Sequence, residues 1–312
     1  MSSVDRFERL IRWYPPTWRA RYGAEFVALL EDTHGMSAVT WRERLAIAKS
    51  GSVERARSAG LLGDSASPNE RIRAGSLLIL CAWALFMLAG GIFAKFTEQW
   101  SAVTPTADRW IPSDGYSAVQ WAGIVGVVLI LAAVLVVLPA LVRLVRDEGW
   151  AVIRPPILRA ALVVAATTAF TGGLVIWAHH LGAHDQNGGL LPYHLIVLPI
   201  WVLAVAAALG FSTAAAVAVV RRLDLSQRTL RVLGGMAIVL TLIMVLIMAG
   251  TLVWWGSMAA YAPGFLGNGA LSTSNVVPPP MIIAGVLMLL GVAMAATGAV
   301  RVTRSIGNRV FP

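Results

Sequence analysis

Charge is scarce in this chain. Only 13% of its 312 residues are Asp, Glu, Lys or Arg, about half the share found in a soluble domain. Lysine is confined to Lys49 and Lys95, which leaves little for Schiff-base or phosphate chemistry. The single cysteine, Cys81, excludes an intramolecular disulfide and a cysteine-built zinc site, and is read as a small packing residue. No Walker A, His-Glu-x-x-His or Gly-x-Ser-x-Gly pattern occurs. No charge sits at the middle of an apolar run. Such a charge costs about 2.5–3.5 kcal/mol on insertion scales and usually has a task, so its absence argues against a carboxylate-coupled transporter and against a voltage sensor. No nucleophile–base pair is visible, and neither enzymatic activity nor a cofactor is expected. A membrane enzyme would need a polar cavity built from Gln120, Thr167, Thr168, Thr171 and the histidines.

What is present is apolar: 57% hydrophobic residues and a mean hydropathy of +0.72. The stretch 74–94 holds 21 residues without a charge, enough to cross a hydrocarbon core of about 30 Å as a helix. No secretory signal peptide is visible before it, so it is read as an uncleaved signal anchor. Five further spans follow, at about 117–142, 157–181, 193–220, 232–255 and 280–300. The region between Arg231 and Arg301 lacks any charge, and the Gly/Asn/Ser/Thr/Pro stretch 256–280 divides it in two. The fold class is therefore all-α. A small helical domain, residues 1–66, precedes a six-helix transmembrane bundle, residues 67–312.

All but two of the 25 Lys and Arg residues lie in the head, in the second-to-third and fourth-to-fifth connections, and in the tail; the exceptions are Lys95 and Arg109. The positive-inside rule then puts head, both termini and these loops in the cytoplasm. The basic balance is thus a topology signal. It calls for membrane lipids as partners, anionic ones near the arginines, and not for nucleic acid. Trp100, Trp110, Trp121, Trp177, Trp254, Trp255 and Tyr261 are read as outer interfacial anchors and Trp150 as an inner one, while Trp83 and Trp201 lie deeper, between helices. Gly90, Gly91, Gly123, Gly126, Gly172, Gly173, Gly285 and Gly291 are candidates for close helix approach.

The head reads as short helices. The first, about 4–13, ends at Pro15-Pro16. The second, about 17–32, carries Trp18, Tyr22, Phe26, Leu29 and Leu30 at three- and four-residue steps on one face. Thr40-Trp41-Arg42-Glu43 is a capping box opening a third helix, with Trp41, Leu45 and Ala48 continuing the apolar face. Ser67, Pro68 and Glu70 open the helix that enters the first span. A core this small is marginal, so the head is expected to lean on the membrane surface, on a second copy or on a partner.

Residues 9–33, RLIRWYPPTWRARYGAEFVALLEDT, followed by TWRERLAIAKSG and AGLLGD, resemble the N-terminal HAAS-type helical signalling domain of actinobacterial multi-pass membrane proteins. The likeness rests on Tyr14, Pro15, Trp18, Arg19, Arg21, Tyr22, Gly23, Glu25, Leu29, Leu30, Glu31 and Asp32, with Arg42-Glu43-Arg44 behind them, and covers about a fifth of the chain. It implies membrane-bound signalling or regulation through a cytoplasmic protein, often a PadR-like transcription regulator. Tyr14, Trp18, Arg19, Arg21, Tyr22, Glu25 and Glu31 are the candidate partner-binding residues. The runner-up is a permease subunit that borrows a separate ATPase, with the connection 142–156 long enough for a coupling helix. Histidine forms the one polar cluster: His179, His180, His184, Asp185 and His194. His180 and His184 would share a face if their helix extended that far, and with His194 they form a candidate Zn or Cu clamp.

Overall fold

The computed structural model describes residues 7, 9–34, 37, 39–58, 67–97, 100–105, 108–182, 192–263 and 279–307. Of these, 91% are helical and none is in a strand. The chain divides into two compact units, Met1–Ala74 and Gly75–Pro312.

In the first unit the principal helices are α1, Pro16–His34, and α2, Trp41–Ser58. Residues 9–11 form the described end of a preceding helical turn, which a hydrogen bond from Tyr14 N to Ile11 O closes. Pro16, with its fixed φ and missing N–H, starts α1. The capping box at Thr40 forms as the sequence predicts. The Thr40 amide donates to Glu43 Oε2 at 2.9 Å, and the Glu43 amide donates to Thr40 Oγ1 at 3.4 Å. Phe7, Tyr14, Leu30, Val39 and Ile47 make the core, with Leu10, Trp18, Phe26 and Val27 against it.

This core corrects the apolar face read from periodicity. Trp41 and Leu45 are 66% and 57% exposed, and Tyr22 and Leu29 on α1 are exposed as well. The reason is Gly51. A Cβ there would lie 2.7 Å from Trp13 Cβ and 2.8 Å from the Trp13 carbonyl carbon. The helix therefore docks by its Ile47–Gly51 side, where backbone meets backbone, and Leu45 is turned outward. Arg55 ties the same seam, donating from Nε to Trp13 O at 2.6 Å and through a second nitrogen to Arg12 O.

The long helices are α3, Pro68–Phe96; α4, Trp110–Glu148; α5, Arg154–His179; α6, Leu198–Arg222; α7, Gln227–Tyr261; and α8, Pro279–Gly307. Among the described residues, six helices are long and apolar enough to cross a membrane. Ser67 and Ser226 cap α3 and α7, accepting from the Glu70 and Thr229 amides at 3.2 Å each. A single π-helical turn, Tyr193–Val197, leads into α6, so Pro199 stands in that helix's first turn. The connection between α4 and α5 is only Gly149, one 3-10 turn over Trp150–Val152, and Ile153. It is shorter than the loop expected at 142–156 and leaves no room for a separate coupling helix.

In the second unit α7 is the central helix. It packs on α4 and α8, and its buried residues run from Leu230 to Met258. Residues of α3 join the same core through Ile79, Ala82, Trp83, Phe86 and Phe93. Two reciprocal glycine crossings hold the helices close. Cβ atoms added at Gly75 and Gly298 would each meet the other's carbonyl oxygen at 2.8 Å, and those at Gly115 and Gly250 would do so at 3.3 Å. Gly126 lies under the Trp83 ring, while Gly285 and Gly291 meet Trp255 and Phe86. Gly90, Gly91, Gly123, Gly172 and Gly173 have nothing within 4 Å and are not approach points.

Trp254 and Trp100 also depart from the interfacial reading: both are buried. With Phe93 and Tyr116 they form an aromatic cluster. The Phe93 and Trp254 rings meet edge-on at 5.1 Å, and those of Trp100 and Tyr116 lie 5.8 Å apart. Trp110 and Trp121 remain exposed. α5 and α6 form a hairpin whose outward side chains, Leu162, Ile176, Leu195 and Leu203 among them, are apolar and uncovered, as a lipid-facing surface requires.

Candidate functional site

The seven residues picked from the head do not form one surface. Tyr14 is core: its ring stacks on Trp18 at 4.0 Å and tilts against Phe26 at 5.7 Å. Trp18 is half-buried between Tyr14, Phe26 and Tyr22. Arg19 and Glu31 are half-buried too, and Arg19 Nε is buried without a hydrogen-bond partner among the described residues. Only Arg21, Tyr22 and Glu25 are exposed.

Leu29, one helical heptad beyond Tyr22, joins them at 57% exposure. The result is an outward strip on α1: Arg21, Tyr22, Glu25 and Leu29. Arg21 lies over the Tyr22 ring at 5.2 Å, which holds the phenol side chain in place. The strip offers an apolar anchor, an aromatic ring, a cation and a carboxylate within two helical turns, the mixture that protein interfaces use. The sequence reading assigned Leu29 to the core because it continues the three- and four-residue pattern.

The third helix of the membrane unit ends at His179, and His180 is its exposed C-terminal cap. The helical face that His180 and His184 would share is therefore not built. His184, Asp185 and the His194 side chain lie outside the described residues. No group of three metal-ligating side chains occurs among the described residues.

The polar groups considered for a membrane cavity do not converge. Gln120 and Thr168 are exposed. Thr167 and Thr171 instead join α5 to α6. Trp201 Nε1 donates to Thr171 Oγ1 at 3.0 Å, Thr171 Oγ1 donates to Thr167 O at 2.8 Å, and Thr167 Oγ1 donates to Ala204 O at 3.2 Å. This ladder satisfies an indole and two hydroxyls inside an apolar hairpin, so its role is association of the two helices. It also accounts for Trp201, which the sequence put between helices.

The remaining feature is electrostatic. Arg143 and Arg146 near the end of α4, Arg154 and Arg159 at the start of α5, and Arg221 and Arg222 at the end of α6 share one end of the bundle. With them are Arg228 and Arg231 at the start of α7 and Arg301 and Arg304 near the end of α8. Arg222 binds the α4–α5 turn directly, donating to Val152 O at 2.7 Å.

The six apolar helices make this a multi-pass membrane protein. Comparison with protein-family models, with curated proteins and with solved structures finds no match.

Proposed function

We propose that this protein is a membrane-bound signalling or regulatory component of the bacterial inner membrane, acting through its helical head on a cytoplasmic regulator. The observation that carries the reading is the α1 strip. Tyr22 and Leu29 are large apolar side chains held outward beside Arg21 and Glu25, on a helix whose other side is committed to the head core. The arginine-rich end of the bundle supports a cytoplasmic head by the positive-inside rule. The head's likeness to HAAS-type domains supports a transcription regulator as the partner class. The absence of charge at the middle of the spans accords with anchoring or envelope sensing and not with ion-coupled transport.

The test is a crosslinked pull-down of the full-length protein from its native membrane, beside a Tyr22→Ala/Leu29→Ala variant of equal helicity. Capture of a DNA-binding regulator by wild type, lost in the variant, is the expected result. Equal capture by both, or capture of an ATPase regardless of the strip, overturns the proposal.

A further inference from the structure

The outward face of α2 carries a different chemistry from the α1 strip. Trp41, Leu45 and Val53 are exposed apolar residues, and Arg42 and Lys49 stand between them on the same side. Arg42 lies over the Trp41 ring at 5.7 Å. Both carboxylates of α2 are turned away from this face and engaged elsewhere. Glu43 accepts from Thr40 and faces His34 at 3.8 Å, while Glu54 pairs with Arg57 at 2.8 Å. Core packing has no use for these residues, because the buried side of α2 is Ile47 and Gly51.

We propose that this face of α2 docks on the surface of an anionic bilayer. Trp, Leu and Val would enter the headgroup–acyl boundary, and Arg42 and Lys49 would meet lipid phosphates. Three observations favour a lipid surface over a protein. The face is apolar and cationic with no carboxylate, the pattern of helices that lie in the membrane interface. Tryptophan is the side chain that interface prefers, and arginine over its ring keeps the cation at the same depth. Finally, only residues 59–66 separate Ser58 from the start of a helix apolar enough to enter the bilayer. At about 3.5 Å per residue eight residues span at most roughly 30 Å, so the chain limits how far α2 can stray from the bilayer and α2 needs little intrinsic affinity to occupy its surface.

The test uses full-length protein in a Cys81→Ser background, in nanodiscs of phosphatidylcholine with or without phosphatidylglycerol. A nitroxide is placed at Leu45→Cys or, as a reference on α1, at Glu25→Cys. Collisional relaxation by oxygen and by a water-soluble nickel chelate is then compared. With phosphatidylglycerol present, the label at position 45 should collide with oxygen and be shielded from nickel, while that at 25 stays accessible to nickel. Adding Arg42→Gln and Lys49→Gln should lower the docked-to-free ratio about thirtyfold, at about one kcal/mol for each cation near an anionic surface. Because all these positions are exposed, helicity should not change. A label at 45 open to nickel in both lipids overturns the proposal. So does one shielded from both reagents, the signature of a protein interface.

Discussion

The crossing of α3 and α8 rests on two glycines, and replacing one Cα hydrogen with a methyl group tests it. In Gly298→Ala the new Cβ would stand 2.8 Å from the Gly75 carbonyl oxygen and 2.7 Å from Ile79 Cγ1. One of these obstacles is backbone, so no rotamer change relieves it. The helices must part by about 0.6 Å to restore ordinary contact, at an overpacking cost of about 1–3 kcal/mol. Alanine returns up to about 1 kcal/mol through its better helix propensity. The net expectation is a loss of about 1–2 kcal/mol. Gly91→Ala is the control: its Cβ meets nothing within 4 Å, so only the propensity gain remains. The assay is thermal unfolding of the full-length protein in detergent micelles, followed through a thiol-reactive dye at Cys81, the one cysteine, which is half-buried in α3. Gly298→Ala should melt about 3–6 °C below wild type, and Gly91→Ala at or slightly above it. The Gly75→Ala/Gly298→Ala double variant should cost less than the two singles together, because the first substitution already separates the helices. Identical melting of Gly298→Ala and Gly91→Ala would refute the close crossing.

Other substitutions probe separate parts of the structure. Trp254→Ala should destabilise the membrane unit by about 3–5 kcal/mol, since its ring is wholly buried against Phe93 and Tyr116, whereas the lipid-exposed Trp121→Ala should stay near wild type in the same melt. Trp201→Phe removes the donor to Thr171 and should cost about 0.6 kcal/mol, with about 1.7 as a ceiling, measured the same way. Gly51→Ala should loosen the head alone, seen as faster amide exchange across α2 with the membrane unit unchanged. Glu43 titrates below its usual 4.5 because the Thr40 hydroxyl, then the Thr40 amide, and to a lesser degree His34 favour the carboxylate. Its contribution to the head is thus present above the ordinary carboxylate pKa and lost as pH falls through the lowered one. A carboxyl carbon titration should show Glu43 returning toward 4.5 in Thr40→Val; an unmoved midpoint would remove the capping explanation.

Helix number, order and rough limits were legible because they depend on hydropathy summed over long stretches. Caps were legible too, as Thr40 and Ser67 show, because a cap is a local bond between residues three apart. Facing was not. Along α3, α4, α7 and α8 both the core side and the lipid side are apolar, so periodicity carries no signal about which glycine meets a neighbour. Gly90 and Gly91 looked eligible and Gly75 and Gly298 did not stand out, and Trp254 looked as interfacial as Trp121. In the head the periodicity is real, but Gly51 has no side chain to register in it, and a close backbone approach to Trp13 falls at the residue the pattern ignores.

The membrane unit is not uniformly packed. α3, α4, α7 and α8 share a packed core with glycine crossings and an aromatic cluster, the arrangement of a rigid scaffold. The α5–α6 hairpin has little of this. Its outward surface is lipid-facing, and its own helices are joined to each other by the Trp201–Thr171–Thr167 ladder and by close packing. A hairpin so held costs less to move than any helix of the core, because moving it exchanges lipid contacts for lipid contacts. Its lower end is nevertheless coupled to the arginine-rich turns, through Arg222 and the Val152 carbonyl. Arg222→Ala tests that coupling: it should free the α4–α5 turn, read as faster exchange at Ile153 and at the start of α5, while the aromatic cluster around Trp254 keeps its protection.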